Sequence, residues 1–171
     1  MIVFEDESKD IENRSVNVLI TLLLLLFISA GCHHQSSPVT NTNAAAETIM
    51  QRLLNGNERF AVLKPTHPDE DLKRLQDAAT EQHPFAVVVC CSDSRVSPEL
   101  IFDQGIGDLF VIRTAGNIIG GVELGSIEYA VEHLGVKLIV VMGHQNCGAV
   151  KAFIEGTDAP GHIKDIIDSL K

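Results

Sequence analysis

Two short β-branched runs that break directly into polar, sulfur-bearing turns constrain this chain more than any other feature. Phe85–Cys90 (F-A-V-V-V-C) runs into Cys91-Ser92-Asp93-Ser94-Arg95, and Leu138–Met142 (L-I-V-V-M) runs into Gly143-His144-Gln145-Asn146-Cys147-Gly148. A third run, Leu109–Arg113 (L-F-V-I-R), lies between them. Each is apolar at successive positions, as strands covered on both faces are. The connections are long enough for crossovers. Val122–His133 reads as a helix between the second and third runs, and Gly148–Ile154 and Ile163–Leu170 read as helices after the third. This order predicts an α/β fold, a central mostly parallel β-sheet flanked by helices. In such sheets functional groups gather outside the carboxyl ends of the strands, so both polar turns are expected on one edge.

His144 and Cys147 are three residues apart where a strand gives way to a helix, and Cys91 arrives from a neighbouring strand. Two thiolates and an imidazole suit zinc, and three protein ligands with a fourth position left for water is the catalytic rather than the structural pattern. Taken alone, Cys91 would read as a buried core thiol. A structural zinc site would show paired knuckles and four ligands. Cys90 alternates to the opposite face and reads as a core thiol, its adjacency to Cys91 disfavouring a disulfide. Asp93 and Arg95 sit on one loop, close enough for a charge-assisted pair that keeps the carboxylate ionised. An anionic Asp93 beside zinc could itself be the fourth ligand, but so held it would instead accept a hydrogen bond from zinc-bound hydroxide; an ordinary surface turn contact is the competing reading.

The N-terminal part has a different character. Val18–Ile28 is an apolar run shorter than the roughly 20 residues of a comfortable membrane span, and reads as an export signal. It ends in Ser29-Ala30-Gly31-Cys32, which resembles the bacterial lipobox with Ser29 in the usual place of Leu, and this implies cleavage before Cys32 and lipid attachment to it. An uncut anchoring helix and a buried apolar helix are the other readings. The expected organisation is residues 1–31 as export signal, 32–43 as a flexible polar tether and 44–171 as the folded domain. Such a chain is exported, as a periplasmic or membrane-anchored lipoprotein of a bacterium. From Ala44 the residues Ile49, Leu53, Leu54 and Phe60 recur at helical spacing, predicting an amphipathic arm whose later turns Asn55-Gly56-Asn57 weaken. Beyond a Pro65–Pro68 break, Asp69–Thr80 reads as a second helix.

A chain of 171 residues supports one domain. Acidic residues outnumber basic ones 23 to 13, for a formal net charge of −10, which argues against nucleic acid as a partner. Four irregularly spaced cysteines do not make a disulfide scaffold. Gly105-Ile106-Gly107 and Gly120-Gly121 match no nucleotide-binding pattern and read as turns.

Three blocks carry a family resemblance: C-S-D-S-R at Cys91–Arg95, R-T-A-G-N at Arg113–Asn117 and G-H-Q-N-C-G-A-V at Gly143–Val150. In order and spacing the chain resembles the β-class carbonic anhydrases, over roughly Ala44 to Lys171. The resemblance implies reversible hydration of carbon dioxide to bicarbonate and a proton through zinc-bound hydroxide. It implies one zinc ion per subunit on Cys91, His144 and Cys147, with Asp93 and Arg95 as the family's dyad. It further implies that Gln82 contacts substrate, and that Phe110, Ala115 and Tyr129 line the pocket, Ala115 being smaller than the family's usual aliphatic residue. Strand core for Phe110, helix packing for Tyr129 and helix termination for Gln82 remain open beside these roles. The chain has no Trp, and Val88 stands where an allosteric subgroup carries one, so the ordinary subgroup is the nearer match. Arg113 is expected to brace the dyad loop or a dimer contact.

The resemblance also implies a homodimer or higher homo-oligomer, with helical arms embracing the partner and pockets drawing on both subunits. Ala44–Phe60 fits such an arm. Family members continue beyond the last helix here, so the C-terminal part of the family fold is expected to be missing. Hydrolysis of carbonyl sulfide or carbon disulfide on the same fold, and a noncatalytic zinc-binding fragment, are the alternative functions.

Overall fold

The strand β1 (Ala86–Cys91) lies at the centre of a three-stranded parallel sheet, with β2 (Leu109–Thr114) on one side and β3 (Ile139–Met142) on the other. This computed structural model describes residues 40–171. The expected export signal, the tether up to residue 39 and Cys32 lie outside the described residues. Around the sheet run α1 (Thr40–Ala61), α2 (Leu72–Asp77), α3 (Pro98–Ile101), α4 (Gly121–Glu132), α5 (Gly148–Ile154) and α6 (Ile163–Asp168). Among the described residues no helix is long and apolar enough to cross a membrane.

All six β1 residues are buried, which is why its sequence A-V-V-V-C-C has no polar position. Ala86, Val88 and Cys90 pack with Val140, Met142, Leu53 of α1, and Ile101 and Phe102 at α3. Val87, Val89 and Ile112 pack against Ile127 and Ala130 of α4 and against Val136. The central strand β1 is thus covered on both faces, the arrangement a parallel sheet requires of its interior.

β3 departs from the expectation of cover on both faces. Val140 and Met142 are buried, whereas Ile139 and Val141 are 45% and 63% exposed. In register they stand beside Val87 and Val89, but α4 packs over β1 and β2 and stops short of them.

Helix α1 begins at Thr40, inside the stretch expected to be tether, and runs unbroken through Asn55-Gly56-Asn57. Those three residues form its crossing point with the chain after α3 rather than its weak point. A Cβ at Gly56 would stand 1.7 Å from the Phe102 carbonyl oxygen, so only glycine permits the approach. Asn57, itself buried, donates from Nδ2 to the Ile101 carbonyl at 3.2 Å. These contacts offset the poor helix propensity of Gly and Asn, a tertiary override of local preference.

Two aspartates after α3 fasten the N-terminal helices. Asp103 is buried and accepts from Arg59 Nε at 2.5 Å, from the Thr66 and His67 backbone N–H groups and from Thr66 Oγ1. Asp108 pairs with Arg52 at 3.1 Å and Arg74 at 3.2 Å, and accepts from the Gly105 N–H. Helix α2 is shorter than expected. It starts after Asp71, whose Oδ1 caps the Arg74 N–H at 2.7 Å.

Candidate metal centre

Cys91 is the last residue of β1 rather than the first residue after it. The Ser92 N–H continues the ladder to the Thr114 carbonyl at 2.9 Å, so strand pairing fixes the Cys91 backbone through Cys91 itself. His144 follows β3 by two residues, and Cys147 stands at the start of α5. Between them Asn146 takes a left-handed conformation, φ 57°, which reverses the chain and turns both side chains toward Cys91. The two polar turns therefore meet on one sheet edge, as expected from the strand order.

The Cys91 and Cys147 Sγ atoms are 4.0 Å apart, and the ligand atoms of Cys91, His144 and Cys147 all lie within 4.8 Å of one another. Two sulfurs each about 2.3 Å from a tetrahedral zinc would be about 3.8 Å apart, so the spacing suits that ion. The His144 ring is almost wholly buried, and its Nδ1 lies 3.0 Å from the Gln145 carbonyl. With the proton on Nδ1 for that bond, Nε2 presents its lone pair to the two sulfurs, and it is a buried nitrogen with no hydrogen-bond partner. A buried acceptor aimed at two thiols is what a metal would satisfy. The residues present therefore fit a zinc ion.

Burial works to raise the Cys91 thiol. The Gly116 N–H, 3.4 Å from Sγ, together with the neighbouring His144 side chain, the Asp93 N–H and Cys147, outweighs it and brings the thiol down to about 7. A thiol ionised that readily is prepared for a metal. Cys90, fully buried on the other face, has its thiol pushed up by burial, as a core residue should.

Beside the three ligand residues, Arg95 grips Asp93 through two parallel bonds, Nε to Oδ1 at 2.8 Å and Nη2 to Oδ2 at 2.7 Å, and its backbone N–H adds a third at 2.9 Å. The Arg95 side-chain bonds hold the Asp93 carboxyl well below the usual carboxylate range. Asp93 Oδ2 stands 3.9 Å from His144 Nε2, which places an anionic acceptor at the rim of the cluster. Arg95 also reaches the Asn146 carbonyl at 3.5 Å, linking the two loops. Arg113 donates from Nε to the Cys91 carbonyl at 3.1 Å and from Nη2 to the Asp93 carbonyl at 2.6 Å, the bracing expected of it.

The four residues expected to meet substrate divide into two groups. Ala115 is at the metal end of the sheet, next to Gly116, and borders an open cavity of about 400 Å³ together with Thr114, Glu123 and Asp165. Gln82 and Tyr129 line a different cavity, with His83 and His133. The Phe110 and Tyr129 rings are 6.4 Å apart, and Phe110 stands opposite Val87, four residues from Cys91 and hence about 13 Å along the strand. A single chain does not bring Gln82, Phe110 and Tyr129 to the cysteine–histidine cluster.

Two contacts escaped the reading of motifs: the Gly116 N–H on the Cys91 sulfur and a bond from Asn117 Nδ2 to the Met142 carbonyl at 2.7 Å. The signal was the Gly-Asn pair itself, since both residues take positive φ, 74° and 60°, which few other residues adopt.

The family model described as carbonic anhydrase matches residues 86–171. Carbonic anhydrase 2 of Mycobacterium tuberculosis (strain CDC 1551 / Oshkosh) is 48% identical over 134 residues, covering 76% of this chain and 64% of that protein. The carbonic anhydrase of Synechococcus elongatus is 41% identical over 113 residues, covering 62% of this chain and 40% of that one. The chain thus spans a little under two thirds of the length of the mycobacterial relative. Among solved structures, the β-carbonic anhydrase CcaA superposes with a TM-score of 0.55 at 37% identity, over 71% of this chain and 61% of that one. The β-carbonic anhydrase CafA of Aspergillus fumigatus gives 0.53 at 32%, over 72% and 58%.

Proposed function

The chain belongs to the carbonic anhydrase family, in its β class, and from that premise we propose that it catalyses the zinc-dependent reversible hydration of carbon dioxide to bicarbonate and a proton. One observation carries the reading: three ligand atoms of Cys91, His144 and Cys147 within 4.8 Å of one another, with the Arg95-held Asp93 at their rim. Bound there, zinc would supply the Lewis acidity that makes water nucleophilic near neutral pH.

The protein's own groups then have distinct tasks. Cys91 and Cys147 give two thiolates and His144 gives Nε2, its tautomer set by the Gln145 carbonyl. Asp93 stays anionic because Arg95 occupies both its oxygens, which also keeps it from serving as a ligand. Oδ2 retains a lone pair to accept a hydrogen bond from the attacking water and so aims that water's free lone pair at carbon dioxide. Ala115 provides apolar wall at this end of the sheet.

Gln82, Phe110 and Tyr129 are too far from this cluster to act within one chain, so in this reading they serve the cluster of a second copy in a homodimer or larger homo-oligomer. Relatives from Sordaria macrospora, 30% identical with a TM-score of 0.53, are described as tetrameric. The apolar run at Val18–Ile28 and the cysteine after Gly31 further support export, with Cys32 as the lipid-bearing anchor residue of a periplasmic or membrane-attached enzyme.

The test is carbon dioxide hydration followed by stopped flow before and after removal of metal with a chelator. The reading expects activity that disappears with the metal and returns on adding zinc. Activity indifferent to chelation would reject it.

A further inference from the structure

The three metal-cluster residues come from the ends of β1 and β3, which pair directly as far as Cys90 and Met142, and beyond that pair a segment leaving the third strand bonds to both ends. Past Thr114 the chain leaves β2 through the short turn Ala115–Asn117, closed by Thr114 Oγ1 donating to the Ile118 carbonyl at 2.6 Å. Asn117 then donates to the carbonyl of Met142, the last residue of β3, at 2.7 Å. Because the strand order is β2-β1-β3, this bond reaches over the end of β1, where Cys91 sits. On the way, the Gly116 N–H touches the Cys91 sulfur, and a Cβ at Gly116 would stand 2.9 Å from Ala149 Cβ. At the base of the same segment Arg113 holds the Cys91 and Asp93 carbonyls. One five-residue stretch therefore grips the β1 end at its start and the β3 end at its finish.

The loop beyond Met142 is open to solvent. Gly143 has open space around the position of an added Cβ, and Gly143, Gln145 and Asn146 are exposed. The direct link between the two polar turns through Arg95 and the Asn146 carbonyl is long, at 3.5 Å. Met142 is two residues from His144, so a shift of its carbonyl moves the imidazole relative to Cys91. Asparagine suits position 117 because it tolerates the left-handed backbone and carries a short amide donor.

We propose that Asn117, assisted by Arg113, is a positioning residue that sets the distance between Cys91 and the His144–Cys147 pair and thereby tunes how tightly the site holds its metal. This rests on the zinc reading given above. Neighbours that orient metal ligands typically change metal affinity by about 10–100-fold when altered.

The experiment measures zinc dissociation constants by chelator competition on the full chain, for the wild type, Asn117→Gly, Asn117→Asp and Arg113→Met. Asn117→Gly keeps the left-handed backbone accessible and removes the side chain with its amide donor. Asn117→Asp keeps the shape and replaces the donor with an acceptor facing a carbonyl. Each should bind zinc about 10–100-fold more weakly, and the cobalt-substituted variants should show shifted visible absorption bands, with metal-free unfolding midpoints near that of the wild type. Wild-type zinc affinity and an unchanged cobalt spectrum in folded Asn117 variants would overturn the proposal. So would loss of the metal-free fold in both, which would make Asn117 a residue of the fold rather than of the site. A wild-type chain that takes up no zinc would instead bring down the zinc reading, and this proposal with it.

Discussion

Arg95 and Asp93 face each other as a fork on a carboxylate, with bonds of 2.8 and 2.7 Å, at the rim of a cluster to which neither contributes a ligand atom. The pairing fixes the carboxylate's orientation and charge together, so the two residues should be separable from metal binding by mutation. Asp93→Asn is expected to keep its zinc and lose about 10²-fold or more of the carbon dioxide hydration rate, the range associated with a misplaced proton acceptor. Metal analysis and stopped flow on the same preparation check it. Zinc loss in step with activity would make Asp93 a ligand.

Cys147→Ala removes one of the two sulfurs that stand 4.0 Å apart. The remaining Cys91 and His144 make an incomplete set for zinc, so metal content should fall to background after dialysis while far-ultraviolet circular dichroism stays native-like. Zinc retained at the wild-type stoichiometry would reject the ligand assignment.

The strand-to-turn junctions were legible in the sequence because both constraints act locally: an apolar run buries a strand, and the residues that follow have nowhere to go but the sheet edge. Cys91, His144, Cys147, Asp93 and Arg95 all meet where that reasoning put them. Their distance from Gln82, Phe110 and Tyr129 was not legible in the strand pattern, since the register between neighbouring strands leaves no trace in spacing along one strand. Asn55-Gly56-Asn57 misled for a related reason. Propensity marks it as a helix breaker, and only the neighbouring Phe102 carbonyl shows why a glycine is needed there. The roles of Gly116 and Asn117 were hidden because they act on backbone and sulfur atoms of other strands.

Asp103 should make stability depend on acid. Burial works to raise its carboxyl, but the bonds from the Thr66 N–H, Arg59, the His67 N–H and the Thr66 hydroxyl outweigh this and hold it well below the usual range. A group depressed on folding stabilises the protein above its unfolded value, about 3.9, and that contribution is lost as pH falls from there through the folded value. Urea midpoints should therefore drop between about pH 5 and pH 3, and Asp103→Asn should lower the midpoint at neutral pH and flatten the slope. An unchanged slope in the variant would contradict this account.

Gly56→Ala places a methyl group 1.7 Å from the Phe102 carbonyl oxygen, a distance no rotamer can relieve. The expected cost is about 1–3 kcal/mol of stability as α1 is pushed off α3, read from chemical denaturation. A neutral or stabilising effect would show that α1 does not cross there.

If pockets are shared between copies, mixing Cys147→Ala chains with Gln82→Ala chains should restore activity above that of either parent. A hybrid dimer can combine the intact cluster of one chain with the intact Gln82 of the other. No recovery after subunit exchange has been demonstrated would place Gln82 outside the neighbouring copy's site.

The most direct test is carbon dioxide hydration by stopped flow on the wild-type chain, with zinc per chain determined in the same samples across a series of metal loadings. The account predicts turnover proportional to zinc bound, reaching its full value at one zinc per chain. Folded chains carrying one zinc each on Cys91, His144 and Cys147 but giving no hydration above buffer would contradict it.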